Sequence, residues 1–165
     1  MELVADANVL IDYASTDPSI LALHVRHLGP IYVPSVILDE VVQLDVADCE
    51  RLGLTVIEEP PGILLAAAER RGPLSFEDRV CLLLARENRW ACVTNEKPLH
   101  RACAQEGVTS IWGLRLMIHL VQARQLNRQV AIGVARAIHE VNPRYVTAGI
   151  LELFEAELGK IKRFS

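Results

Sequence analysis

Asp6, Glu40, Asp78 and Glu96 are the side chains of this sequence best suited to do chemistry together. Asp6 closes the apolar run Leu3-Val4-Ala5. A short buried strand there would deliver the carboxylate at its carboxyl end, the place where open α/β sheets bind ligands. Glu96 follows a second run of this kind, Trp90 to Thr94. Glu40 lies beyond the strand-like Ile31-Tyr32-Val33-Pro34, and Asp78 lies in the opening turn of the helical stretch Ser75 to Asn88. Four carboxylates around one crevice repel one another unless a cation sits among them, and Mg²⁺ or Mn²⁺ is the expected one. Phosphodiester hydrolysis suits such a site: it needs an activated water, neutralised phosphoryl oxygens and help for the leaving oxygen. No histidine is required, and His24, His27, His119 and His139 fall on helical stretches as surface or interhelical residues.

Each acid also has a plainer reading. Asp6 could simply accept N–H groups from the next turn. Glu40 could be solvated helix surface. Ser75-Phe76-Glu77-Asp78 has the form of a capping box, which accounts for Asp78 without chemistry. The two roles coexist if that helix starts at the cleft. The neighbouring polar groups divide in the same way. Asn8 could hold an ion's water or cap a helix, and Asp12 either supports the site or lies on helix surface. Ser35 reads as a helix cap or a phosphate contact. Thr94 and Asn95 could fix the adjacent carboxylate, touch phosphate or cap a turn. Lys97 and Arg101 share a helix face, with Arg79 also near the acids in sequence. Phosphate contact and solvated surface stay open for all three.

The elements needed to position these groups can be read from periodicity and breakers. A strand at about Glu2 to Asp6 leads into a helix ending near Asp17-Pro18, and a second helix runs from Ser19 to Leu28 before Gly29-Pro30. After the strand Ile31 to Pro34, Ser35 is expected to cap a helix with Val36, Ile37, Val41 and Leu44 inward, so that Glu40 sits one and a half turns inside it. A helix from Val46 to Leu52, a strand from Leu54 to Ile57, a Pro60-Pro61-Gly62 turn and a helix from Ile63 to Arg71 follow. Ser75 to Asn88 is the strongest helix, with Val80, Leu83 and Leu84 inward. Trp90 to Thr94 and Val108 to Ile111 are strands around a helix from Leu99 to Glu106. This alternation predicts a three-layer α/β/α sandwich around a mainly parallel sheet of four to five strands. From Gly113 on, three helices are expected with no strand between them: Gly113 to Leu126, Gln129 to Val141 and Thr147 to Glu157. They form a helical extension, 113–165, of one domain spanning 1–165.

At 165 residues and 51% apolar content the chain can bury a substantial core, which argues against disorder. A formal net charge of -4 argues against a broad basic surface for duplex nucleic acid. It leaves room for an enzyme that handles nucleic acid through a metal and a few arginines. Cys49, Cys81, Cys92 and Cys103 form no CxxC pair and read as reduced core residues of a cytoplasmic chain. No membrane-spanning run is visible.

At these residues the chain resembles a PIN domain, the metal-dependent nuclease family that includes the VapC toxins of toxin–antitoxin pairs. The resemblance rests on Val4-Ala5-Asp6-Ala7-Asn8-Val9-Leu10-Ile11-Asp12, Val33-Pro34-Ser35 with Glu40, Leu74-Ser75-Phe76-Glu77-Asp78, and Val93-Thr94-Asn95-Glu96-Lys97-Pro98-Leu99. It covers about residues 1 to 112. It implies metal-binding and catalytic roles for Asp6, Glu40, Asp78 and Glu96, an RNA substrate, a small antitoxin partner and a homodimer. The fourth acid departs from the family's usual Asp. The extra methylene of Glu96 moves its carboxylate by about 1.5 Å. The expected function is a metal-dependent endoribonuclease, with a catalytically weak or inactive PIN-like binding module as the alternative. The apolar stripes Leu114 to Val121 and Ile150, Leu151, Leu153, Phe154 and Leu158 serve either as packing against the sheet domain or as an interface.

Overall fold

The computed structural model of the chain describes residues 1–69 and 72–163. Five parallel strands, β1 (Leu3–Ala5), β2 (Ile31–Pro34), β3 (Thr55–Ile57), β4 (Ala91–Val93) and β5 (Ser110–Ile111), form one sheet in the order β3-β2-β1-β4-β5. β1 and β4 are buried along their whole length, as expected of central parallel strands covered on both faces. The register sets Leu3 against both Ile31 and Ala91, and Ala5 against Val93. The chain therefore leaves β1 in one direction towards β2 and β3, then returns to its other side for β4 and β5. That reversal opens a crevice between the carboxyl ends of β1 and β4, a topological switch point.

The helices follow from the expected punctuation. Asp6 caps α1 (Ala7–Thr16), and Pro18 precedes α2 (Ser19–His27). Asp45 caps α4 (Val46–Leu52) in a reciprocal capping box, and Gly53 ends it in the left-handed region at φ 81°. Ser75 caps α6 (Phe76–Asn88), and Pro98 sits in the first turn of α7 (Lys97–Gln105). The helix α6 lies against β1 and β4, next to α7. Its inward residues are Val80, Cys81, Leu82, Leu84 and Ala85; Leu83, expected inward, is half-buried.

Two expectations change. The helix after β2 is a single turn, α3 (Ser35–Leu38), with Pro34 at the N-cap position and no cap bond from Ser35. Glu40 lies just past it in a turn closed by Glu40 N–H donating to the Ile37 carbonyl at 3.0 Å. Apolar Val41 and Leu44 are buried from this loop, which mimics a helical stripe in the sequence. Pro61 and Gly62 do not form a turn. They open α5 (Pro61–Ala68), where proline at the first position loses no hydrogen bond. The expected helix to Arg71 instead stops at Ala68, with Glu69 as its C-cap, and positions 70 and 71 lie outside the described residues.

The tail contains α8 (Arg115–Gln122), α9 (Arg128–Val141) and α10 (Ala148–Lys160). They pack on the domain: α9 contacts α1 and α10, and α8 contacts α2. Leu116, Met117 and Leu120 are fully buried and join the same core as the sheet. Most of the first apolar stripe is thus internal. The second splits: Phe154 and Leu158 are buried, whereas Leu153 is 72% exposed.

Candidate active site

Asp6 is the centre of the crevice. It is only 3% exposed, and one carboxylate oxygen accepts from Val9 N–H at 2.9 Å, so the capping reading holds. The other oxygen accepts from the Thr94 hydroxyl. Burial first, with the nearby Asp78 and Glu96 carboxylates adding to it, pushes the Asp6 carboxyl up to about 7 against the lowering effect of these two bonds. A carboxylate held away from water and crowded by two more is a group that a cation would stabilise.

Glu96 reaches the same crevice from the end of β4. Its N–H donates to Thr94 Oγ1 at 3.0 Å, and its side chain accepts from Asn8 Nδ2 at 2.8 Å. Thr94 therefore ties both acids to one strand end, and Asn8 bridges from the β1 side. Asn8 does not cap α1, since Asp6 holds that position; its amide is bonded to Glu96.

Asp78 enters from the start of α6. Its N–H donates to Ser75 Oγ at 3.1 Å, and hydrogen bonding from Ser75 to the Asp78 side chain completes the capping arrangement. Burial nevertheless raises its carboxyl, with Glu96 adding to the rise. Capping and cleft position coexist. Glu40 is different. It is exposed, and its carboxyl is raised by desolvation and then by Glu77, which it faces, with Asp78 a smaller cause. The structure brings Asp6, Asp78 and Glu96 together and leaves Glu40 at the rim.

Ser35 neither caps its helix nor points to a free phosphate position. Its hydroxyl donates to Glu59 Oε2 at 2.7 Å, while Val36 N–H donates to Glu59 Oε1 at 2.9 Å. Glu59, not singled out from the sequence, is the group that closes the start of α3. Nothing local marks it, because its partners lie more than twenty positions earlier.

Asp12 is also buried and belongs to a network that sequence order hides. It accepts from Asn95 Nδ2 at 3.2 Å and from Asn142 Nδ2 at 2.9 Å. Burial pushes its carboxyl up to about 6. Asn95 Oδ1 in turn accepts from Gly113 N–H at 3.0 Å, and the Tyr13 hydroxyl donates to the Gly113 carbonyl at 2.6 Å. A β-carbon at Gly113 would come within 3.1 Å of the Asn95 amide and 3.2 Å of Val9. The loop carrying Glu96 is thus pinned from α1, from the β5–α8 junction and from the tail. Of the basic candidates, Lys97 and Arg101 are exposed on α7. Arg79 is turned away: its guanidinium donates to the Ala67 and Ala66 carbonyls at the end of α5.

Among the described residues, no three His, Cys, Asp or Glu side chains converge tightly enough to clasp an ion directly. Thr94 and Val9 hold Asp6 back, and Asn8 holds Glu96. The donor set still fits Mg²⁺ or Mn²⁺. It is all oxygen and anionic, and Mg²⁺ keeps several waters rather than demanding a closed protein cage. His100 and Cys103 form no zinc pair. His100 is spent on the Thr94 carbonyl and Ser110 hydroxyl, each at 2.7 Å, and Cys103 is buried beside Cys92. All four cysteines are free and buried.

The structure is similar to a PilT N-terminus domain protein from the hyperthermophilic archaeon Sulfolobus solfataricus. The two match with a TM-score of 0.52 at 14% identity, over 72% of this chain and 92% of that one. The fold is PIN-like. At that identity the likeness shows the fold alone. The sequence matches no family model, and comparison with curated proteins gave no match.

Proposed function

We propose that this chain is a metal-dependent endoribonuclease. One observation carries the reading: three acids from separate elements, Asp6, Asp78 and Glu96, meet at the switch point of a PIN-like sheet, where burial first and then neighbouring carboxylates raise the proton affinity of Asp6 and Asp78. Asp6, Asp78 and Glu96, with Glu40 from the rim, would hold Mg²⁺ or Mn²⁺. Such an ion, when bound, supplies charge neutralisation at phosphate and an acidified water. The chain's own part is orientation. Thr94 aims Asp6, Asn8 aims Glu96, and Asp12 with Asn95 keeps the loop of Glu96 in place. Lys97 and Arg101 are the exposed cations available to the RNA backbone. Incubation with mixed single-stranded RNA and Mg²⁺ or Mn²⁺ tests the reading, with D6N D78N as control. Cleavage by the wild type and none by the control is expected; equal cleavage by both, or none by either, overturns it.

The reading extends to a toxin whose small antitoxin partner covers the acidic crevice with a basic side chain, and to a homodimer in the cytoplasm. The free buried cysteines agree with a reducing compartment. Light scattering over a tenfold concentration range tests the dimer, and a constant monomer mass counts against it. A second reading, a non-catalytic PIN-like binding module, is favoured by the Asn8 amide that occupies Glu96. Under that reading Mn²⁺ at millimolar concentration does not bind.

A further inference from the structure

Beside the acids, a groove of about 750 Å³ opens between the start of α7, α8 and α10. One end is formed by Asn95, Glu96 and Lys97, so the groove shares Glu96 with the acid crevice. Its walls are apolar, from Leu114, Ile118, Ile150 and Phe154. Trp112 stands in it, 43% exposed. A half-exposed indole offers a ligand a large flat apolar face with a polar N–H at its edge.

Trp112 is held rigidly, and by the residues of the crevice. Its ring stacks on His100, with centroids 3.8 Å apart. The Thr94 carbonyl can only accept, so His100 Nε2 carries the proton and donates to it, which leaves Nδ1 to accept from the Ser110 hydroxyl. Both ring nitrogens are thereby fixed. The same Thr94 donates its hydroxyl to Asp6. A chain of contacts from Asp6 through Thr94 and His100 to Trp112 sets a flat aromatic surface at a defined place relative to the acids. Two exposed cations, Lys97 and Arg144, line the same groove; Arg144 lies 5.8 Å over the Tyr145 ring.

We infer that this groove is a nucleobase subsite: a base of single-stranded RNA, next to the phosphate at the acids, stacks on Trp112, with Lys97 and Arg144 against the flanking phosphates. The inference rests on the nuclease reading for the placement of that phosphate. A ligand with anionic groups along a backbone and flat rings hanging from it matches all three features, the shared Glu96 end, the aromatic platform and the cations of the groove. Stacking on an aromatic platform tolerates any base, so the subsite orients the strand without selecting a sequence.

The chain has two tryptophans, so a W90F background leaves Trp112 as the reporter. With D6N added to prevent cleavage, a mixed-sequence single-stranded RNA and an abasic ribose-phosphate chain of equal length are titrated with Mg²⁺ present. The RNA is expected to quench Trp112, and the abasic chain to leave it bright. W112L should weaken RNA binding about tenfold, and W112F should restore most of it, on the usual scale of base–aromatic stacking. RNA that binds without quenching, W112L that binds as tightly as its parent, or no RNA binding at all overturns the subsite. So does Trp112 emission that tracks protein concentration without RNA, which would assign the groove to a second copy. Cleavage that depends on Asp6 while Trp112 stays silent removes the subsite and leaves the nuclease; quenching in a protein that never cleaves does the reverse.

Discussion

The two sides of the crevice are built to different standards. On the β1–β4 side, Asp6, Thr94, Glu96 and Asn8 hold one another through direct hydrogen bonds, and Asn95 is tied to Asp12 and Gly113. On the β2–β3 side, Glu40 follows a single helical turn, is exposed, and faces another acid. Buried polar groups are costly unless satisfied, so the first side can hold only one arrangement, whereas the second can move at little cost. In a nuclease this means that one half of the site is preorganised and the other adjusts when ion and substrate arrive. That contrast makes unequal consequences for equal substitutions.

The largest effect is expected at Asp6. D6N should lower RNA cleavage by about 10³-fold, the scale of losing a main electrostatic contributor. A single-turnover assay under saturating Mn²⁺ measures it, and a loss under tenfold would place Asp6 outside the chemistry. The same substitution should alter stability in the opposite direction. The folded Asp6 carboxyl holds its proton up to about 7, against 3.8 for the free group, so its contribution is fully present below about pH 3.8 and is lost as the pH rises through about 7. Asp12, raised to about 6, acts with the same sign over a narrower window. Metal-free protein should therefore lose up to about 4 kcal/mol between pH 4 and pH 8 from Asp6, at about 1.4 kcal/mol per unit. D6N should flatten most of that slope in urea melts taken along the pH range. An unchanged slope would show that the crevice is wetter than described.

Thr94→Val comes next. It removes the donor to Asp6 and the acceptor of Glu96 N–H together. A loss of about 10–100-fold in cleavage is expected, as for groups that orient metal-binding residues, with about 1–3 kcal/mol of stability. On the looser side, E40Q should cost cleavage about tenfold or less and leave the pH slope of stability close to that of the wild type, because Glu40 is exposed. A loss at Glu40 equal to that at Asp6 would erase the contrast. The smallest effect is expected from Ser35→Ala, which removes one bond to Glu59 while Val36 N–H keeps the other. Denaturant melts should show about 0.5–1.5 kcal/mol, with no change in cleavage.

What could be read from the sequence divides along the same line. Asp6, Asp78 and Glu96 were legible because each sits at an element end marked by a run or a cap within a few residues. Glu40 was misplaced inside a helix because Val41 and Leu44, buried from a loop, repeat the helical spacing. Glu59, Asn142 and Gly113 carried no local signal at all, since each acts on a partner far away in the chain. The parallel sheet was legible as alternation, but the strand order and the crossing back to β4, which creates the crevice, are tertiary facts. The groove beside Glu96 was half visible. The two apolar stripes suggested either packing or an interface, and the structure divides them between a buried core and one open wall.

The most direct test of the central claim is calorimetric titration of the metal-free protein with Mn²⁺ at pH 6.5 in two buffers of different ionisation enthalpy. A divalent ion at Asp6 must displace the proton that burial keeps there, so binding should release protons, and D6N D78N should abolish both the heat and the release. Mn²⁺ that does not bind the wild type at millimolar concentration, or that binds the double variant equally well, would contradict the account.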